Sequence, residues 1–399
     1  MKHVDLSTEQ EQAADMLVEW ARYRSGARGR AGAVGRTDDR VRALRGLAGT
    51  GKTTTGAEVA RRLVALGTRV AVVAPTGKAA HVLRGKGVPA TTIHAVAYEL
   101  ISDDPDRGPE FRLRRDVTGD PDVVICDEAS MATADHVDDL LSRVPRVLLV
   151  GDPGQLPPVS GEPVLEDALG VDLVTVHRQA LDSGVVRFAH AIRRGASVTD
   201  ALREGAPDVI AGRPAHLPGV LLVARNDLRV RLNAGVRAQV HGGTPPSAGP
   251  AVGDRLVCLS NHRRSHRRDD DDPDAGPPPD PWCNGTVGDV VRVGASPGFR
   301  GEPDSTRRFA ALCDDGQERE GRAWLRQLDA PGLLPVEPHD RDRREARFAW
   351  GWCLTTHKAQ GSEWDEVAVM GDGFGTPDEL RAWRYTAATR AARRLWWAC

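Results

Sequence analysis

GLAGTGKTTT, residues 46–55, sets a glycine-rich turn directly ahead of a lysine and a run of threonines. The spacing fits G-x-x-x-x-G-K-[ST], in which backbone N–H groups wrap phosphates and the following helix adds its positive end. Gly46, Ala48, Gly49, Thr50, Gly51 and Thr54 would form the cradle, Lys52 would reach the β/γ-phosphates, and the Thr53 hydroxyl would hold Mg²⁺. ATP and Mg²⁺ are the cofactors this chemistry asks for. VVICDEAS ends an apolar run on two carboxylates: Asp127 can hold Mg²⁺ through water, and Glu128 can polarise the attacking water. In-line phosphoryl transfer needs mainly such positioning and charge neutralisation. In LLVGDPGQLPPV the Gln155 amide could sense a γ-phosphate or orient water, with Asp152 supporting the metal; the same letters also make an ordinary Gly/Pro turn. Arg178 in TVHRQA and Arg390 in YTAATRAARRL could stabilise transition-state charge, provided a second lobe faces the first across the nucleotide.

The elements that must hold these residues are short apolar runs, each ending in a loop with chemistry in it. RVRALRG runs into the phosphate loop, RVAVVA into PTGKAA, DVVICD into EASM and RVLLVG into DPGQ. Helical patterns such as TTTGAEVARRLVALG lie between them, so the class is α/β with a parallel sheet and ligands at the carboxyl ends of its strands. This first lobe covers residues 1–170. A second α/β lobe is expected from two separated segments, 171–247 and 336–399. Between them, 248–335 reads as short strands with Gly- and Asp-rich turns, a small β-barrel insertion. Inside it the charged, Pro-rich stretch at 262–282 is expected to be a mobile loop, and a smaller flexible break is expected at 24–39.

Composition bounds the function. A net charge of −2 over 399 residues gives no global pull towards nucleic acid, so any such binding must come from a local groove. No apolar run is long enough for a membrane span, and the polar start MKHVDLSTEQEQ lacks a secretory core. Six scattered cysteines read as reduced thiols in a cytoplasmic protein. Only five of the 54 basic residues are lysines, and Lys52, Lys78 and Lys358 each fall in a chemical loop. Such economy suggests positions where a compact ammonium is needed. Cys258, His262, His266 and Cys283 offer zinc-compatible donors, but their spacing is irregular.

The ordered set LSTEQEQAADML, GLAGTGKTTT, APTGKAA, TTIHAV, VICDEASM, VGDPGQLPPV, VHRQA, NGTVGDV, TTHKAQGSEWDEV and YTAATRA resembles the superfamily 1 DNA helicases, specifically the RecD/Dda-like group. The resemblance implies two RecA-like lobes of the P-loop NTPase type, with an SH3-like insertion in the second. It implies that Gln10 reads the adenine, that Gln360 and Glu363 line the nucleotide, and that Arg178 and Arg390 are arginine fingers. It also implies 5′→3′ movement on single-stranded DNA.

Donors to DNA phosphates are expected from Thr76, Lys78, Thr92, His94, His357 and Lys358. Trp364 and Trp383 read either as stacking platforms for bases or as ordinary core packing. Residues 96–118 sit where the family carries a small wedge, and a plain surface loop fits them equally well. The reading is an ATP-dependent helicase acting on single-stranded and forked DNA as a monomer, with replication or repair proteins as partners. A translocase that unwinds little, a nucleotide-gated DNA-binding subunit and an RNA substrate stay open as alternatives.

Overall fold

The computed structural model describes residues 5–23, 38–104, 108–115, 119–243, 249–260, 282–294, 306–330, 347–371, 373 and 375–398. Its first strands are β1 (Val41–Gly46), β2 (Val70–Ala74), β3 (Ala90–Thr92), β4 (Tyr98–Asp104), β5 (Gly108–Leu113), β6 (Val123–Cys126), β7 (Arg146–Gly151) and β8 (Gly170–Leu173). Six of them form a parallel sheet in the order β3-β2-β6-β7-β1-β8. The residues explain the architecture. β6 and β7 are buried along their whole length, as strands covered on both faces must be. Val123, Ile125, Leu148 and Val150 pack with Leu17 and Leu63, from the helices Thr8–Arg22 and Lys52–Ala65. Their alternate neighbours Val124, Cys126, Val147 and Leu149 pack on the opposite side with Ile93, Val137 and Leu140. β4 and β5 leave this sheet as an antiparallel hairpin with Leu100 opposite Phe111.

The remaining strands are β9 (Val209–Ala211), β10 (Val220–Val223), β11 (Arg255–Cys258), β12 (Val287–Gly294), β13 (Thr306–Cys313), β14 (Glu318–Trp324), β15 (Phe348–Trp350), β16 (Cys353–Thr355), β17 (Trp364–Met370) and β18 (Ala391–Ala398). A second parallel sheet runs β16-β10-β17-β18-β9, and a small antiparallel sheet runs β14-β13-β12-β11-β15. The small sheet has its own aromatic core, with the Trp282 and Phe309 rings each 4.9 Å from Phe348. It is tied to the helix Asn226–Val240 by a buried pair: Arg237 Nε donates to Asp254 Oδ1 at 3.0 Å, and the Arg237 guanidinium lies 4.1 Å over the Trp350 ring.

Two expected boundaries move. The first sheet does not stop at 170, because β8 pairs with β1 from Gly170 to Leu173 as a half-exposed edge strand. The small sheet does not stop at 335: β15 pairs with β11, so the apolar run at 348–355 is shared between two sheets. The break falls at Gly351, where an added Cβ would sit 2.7 Å from the Leu256 carbonyl carbon. The charged stretch at 262–280, His262 and His266 with it, lies outside the described residues, as do most of the 24–39 break and the centre of the 96–118 turn. Among the described residues no helix is long and apolar enough to cross a membrane, no cysteine forms a disulfide, and no group of three His, Cys, Asp or Glu could hold a metal.

Candidate active site between the two lobes

The phosphate loop leaves β1 at Gly46 and enters its helix at Lys52. Gly51 caps that helix in the left-handed region at φ 77°, with no side chain answering the first amides. Those N–H groups are the orphan donors that make a helix start an anion site. A side chain at Gly51 would also collide with Gln10, whose Nε2 would lie 2.2 Å from the new Cβ. Gln10 is fully engaged. Its Oε1 accepts from Ser7 N in the helix cap, and its Nε2 donates to the Thr50 carbonyl at 3.1 Å and lies 2.7 Å from His177 Nε2.

β6 and β7 deliver the acidic groups beside this loop. Asp127 is buried, accepts from Glu128 N at 2.9 Å and is hydrogen-bonded by the Thr53 hydroxyl. Burial and the Glu128 charge push its carboxyl above the usual carboxylate range, against the pull of the Glu128 N–H, Lys52 and Thr53. Thr53 and Asp127 are hard oxygen donors, and a buried carboxylate left this short of positive charge fits a divalent cation. Glu128 sits at φ 54°, a left-handed backbone that costs a non-glycine residue about 1–2 kcal/mol. Its Oε2 is buried with no hydrogen-bond partner among the described residues, and the same holds for Gln155 Oε1. Strain and unanswered polar atoms at strand ends are the signature of groups held ready for something else.

The second lobe reaches into this cleft. Tyr385, from the helix Pro377–Ala388, accepts from Ala48 N at 2.7 Å and donates to Asp152 Oδ2 at 2.8 Å. That carboxylate lies 3.5 Å from Lys52 Nζ. His190, from the helix Gly184–Arg193, contacts the Ala48 carbonyl at 2.8 Å. Gly154 leaves room for the phenol ring, since a Cβ there would stand 2.9 Å from Tyr385 Cε1. Gln360 donates to the Leu156 carbonyl at 2.9 Å, and Thr386 Oγ1 accepts from Leu156 N at 2.8 Å, so the loop at 152–156 is gripped from across the cleft.

The remaining expected nucleotide residues are placed as follows. Arg390 is buried on its own lobe, donating to the Thr386 and Ser362 carbonyls at 3.1 and 3.2 Å, and its charge reaches the Tyr385 phenol. Arg178 opens the short helix Arg178–Leu181, and its side chain lies outside the described residues. Glu363 is exposed, while Gly46 and Thr50 are buried in the loop. Tyr385, His190, His177 and Thr386 were not singled out from sequence. Tyr385 and Thr386 lie within YTAATRA, but nothing local marks a partner 337 residues away.

On the neighbouring edge three loops share one design. Thr76, Thr92 and Thr355 each cap a helix start, and each is followed two residues on by Lys78, His94 or His357. Lys78 Nζ donates to Asp314 Oδ2 at 2.5 Å and to the Gly285 carbonyl at 3.3 Å, and lies 5.0 Å over the Trp364 ring. Lys358 donates to Asn284. Burial pulls Lys358 down to about 8 and lowers His357. His94 is exposed, stacks on Tyr98 at 5.1 Å and meets Phe111 edge-on at the root of the hairpin. Trp383 is core, packed on Trp397.

A family model for the AAA domain matches residues 28–207, and one for the UvrD-like helicase C-terminal domain matches 351–397. The RecBCD enzyme subunit RecD of Mycolicibacterium smegmatis is 30% identical over 416 residues, covering 88% of this chain and 67% of that relative. The chain belongs to the RecD-like superfamily 1 DNA helicases. The ATP-dependent RecD2 DNA helicase of Deinococcus radiodurans is 32% identical over 370 residues, 89% of this chain. This RecD-like chain spans about half the length of that relative, 46%. The fold matches solved Pif1 helicases. One, from a study of unwinding at forked double-stranded DNA, has a TM-score of 0.58 at 17% identity, over 99% of this chain and 92% of that one. Another, Bacteroides Pif1 in complex with ADP-AlF3 and single-stranded DNA, has a TM-score of 0.57 at 17% identity, over 100% and 93%.

Proposed function

We propose that this chain is an ATP-driven motor that moves 5′→3′ along single-stranded DNA and opens duplex ahead of it. The observation that carries the reading is that side chains of the second lobe touch the phosphate loop itself, through Ala48. A nucleotide seated there bears directly on how the lobes sit. Gly49, Gly51, Lys52 and Thr54 bind the triphosphate, and Lys52 exchanges Asp152 for phosphate. Thr53 and Asp127 would hold Mg²⁺, which when bound neutralises phosphate charge. Glu128, its Oε2 unanswered, orients the attacking water, and Gln155 reads the γ-phosphate from the next strand end. Arg390 leaves its carbonyl partners for the developing charge, joined by Arg178. The adenine is met by Gln10, and Gln360 and Glu363 complete the second-lobe side.

The threonine-capped loops bind the strand: Thr76, Lys78, Thr92 and His94 on one lobe, His357 and Lys358 on the other. Closing and reopening the cleft shifts one set against the other by a step. The hairpin of β4 and β5, with Phe111 exposed near His94, is the candidate wedge, which favours unwinding over bare translocation.

The test measures ATPase with and without single-stranded DNA, then unwinding of duplexes bearing a 5′ or a 3′ tail. DNA should stimulate turnover, and only the 5′ tail should support unwinding. Lys52→Ala should lose turnover by about 10²-fold or more with the fold intact by circular dichroism. Turnover indifferent to DNA would refute the motor, and unwinding from the 3′ tail alone would reverse the polarity.

A further inference from the structure

Ala48 has both of its backbone polar groups taken by the second lobe. Its N–H donates to the Tyr385 phenol at 2.7 Å, and its carbonyl meets His190 Nε2 at 2.8 Å. The two side chains come from different helices and sit edge to face, their rings 6.5 Å apart. Tyr385 is wholly buried, and its hydroxyl uses both of its functions, accepting from Ala48 and donating to Asp152. The Asp152 oxygen that accepts this proton is also the one nearest Lys52, at 3.5 Å. A continuous chain therefore runs from the phosphate-binding lysine through a carboxylate and a phenol to the loop's own backbone, and ends on a histidine of the other lobe.

We propose that Tyr385 and His190 are positioning residues that clasp the phosphate loop through Ala48 and set how readily Lys52 is released to ATP. The inference rests on the ATPase reading above. With the phenol in place, Asp152 has a donor other than Lys52, because Tyr385 and the Gly154 N–H at 2.8 Å share its charge. Removing the phenol leaves Asp152 Oδ2 to Lys52, with Gly154 N–H holding Oδ1 as before, and leaves Ala48 N–H without the phenol, so the lysine is held back and the loop loses its shape. The clasp also couples the lobes. Ala48 can be held on both sides only when the helices Gly184–Arg193 and Pro377–Ala388 stand against the first lobe, so opening the cleft loosens the loop. This device is separate from Arg178 and Arg390, which act on the transferring phosphoryl group rather than on the loop.

The experiment compares Tyr385→Phe, His190→Ala and His190→Gln with the unaltered chain and Lys52→Ala. The readouts are affinity for a fluorescent ATP analogue, steady-state ATPase with saturating single-stranded DNA, and the thermal midpoint. Phe keeps the packed ring, and Gln keeps an N–H that reaches the Ala48 carbonyl. Tyr385→Phe and His190→Ala should weaken analogue binding and raise KM for ATP about tenfold, the size of one good hydrogen bond, with kcat changed less. His190→Gln should restore most of the loss. A purely structural role predicts a lowered thermal midpoint with KM unmoved, and that result overturns the clasp. Should Tyr385→Phe fail to fold, the His190 pair decides alone: equal affinities for Ala and Gln overturn it. If the unaltered chain binds the analogue but does not turn over, the motor reading fails, and the affinities still judge the clasp.

Discussion

Lys358 is a side chain whose chemistry the fold changes strongly. Burial pulls its ammonium to about 8 from an ordinary 10.5, with Cys258 opposing and Arg229 assisting. Between those values the unfolded chain binds more protons than the folded one. The cost of burying this lysine is therefore fully present below about 8 and is relieved as pH rises towards 10.5. A DNA phosphate pulls the other way, because an opposite charge favours the ammonium. Binding of single-stranded DNA should then take up a proton above about pH 8, and affinity should fall as pH climbs from there. Arginine stays charged throughout, so Lys358→Arg should flatten that slope in an anisotropy titration of a labelled oligonucleotide. An unaltered slope would remove Lys358 from the DNA track. The residue types at such positions are legible in a linear sequence, since Lys52, Asp127 and Glu128 announce themselves by spacing. Their partners are not. Gln10 shows why: its amide is consumed by a helix cap and by the Thr50 carbonyl, and the latter partner lies 40 residues away.

At the level of elements, the junction between the second lobe and the small sheet turns on Asp254. This carboxylate has no exposed surface and accepts from Arg237, from His241 Nε2 at 2.8 Å and from Ala251 N at 2.7 Å. Removing one partner of a buried pair leaves the other charge stranded and typically costs about 3–5 kcal/mol. Asp254→Ala should lower stability by about that much in urea unfolding, with limited proteolysis cutting at 249–330 before the first lobe. A loss below about 1 kcal/mol would mean that the pair is effectively solvated. Continuous apolar runs mark the interior strands well, and β6 and β7 divide their residues between two cores because successive side chains of a strand point to opposite faces. The pattern failed at 348–355 because hydrophobicity says that a strand is buried, not which sheet buries it. Gly351, packed close against Leu256, and Trp352, whose carbonyl accepts from Leu221 N, make the break between β15 and β16.

Over the whole molecule, the small sheet lies against the same loops that are proposed to hold DNA. Asp314 and Gly285 occupy Lys78, Asn284 occupies Lys358, and His81 Nε2 lies 3.0 Å from Asp315. Phosphate must compete with these partners. Asp314→Asn should therefore raise affinity for single-stranded DNA up to roughly fivefold at low salt, the worth of one partly exposed ion pair. Equal affinities would mean that Lys78 keeps Asp314 while DNA is bound. The order of strands in the second sheet has a consequence for biosynthesis. Among the described residues, β10 is paired by β16 and β17 alone and β9 by β18 alone. A ribosome needs on the order of ten seconds to add the residues between β10 and β16. Throughout that interval the nascent chain trails an apolar ribbon, Val220–Val223, whose partners have yet to be translated. Slowing elongation across that stretch should lengthen its dependence on chaperones, while the first sheet, complete by Leu173, should already be folded as it leaves the exit tunnel.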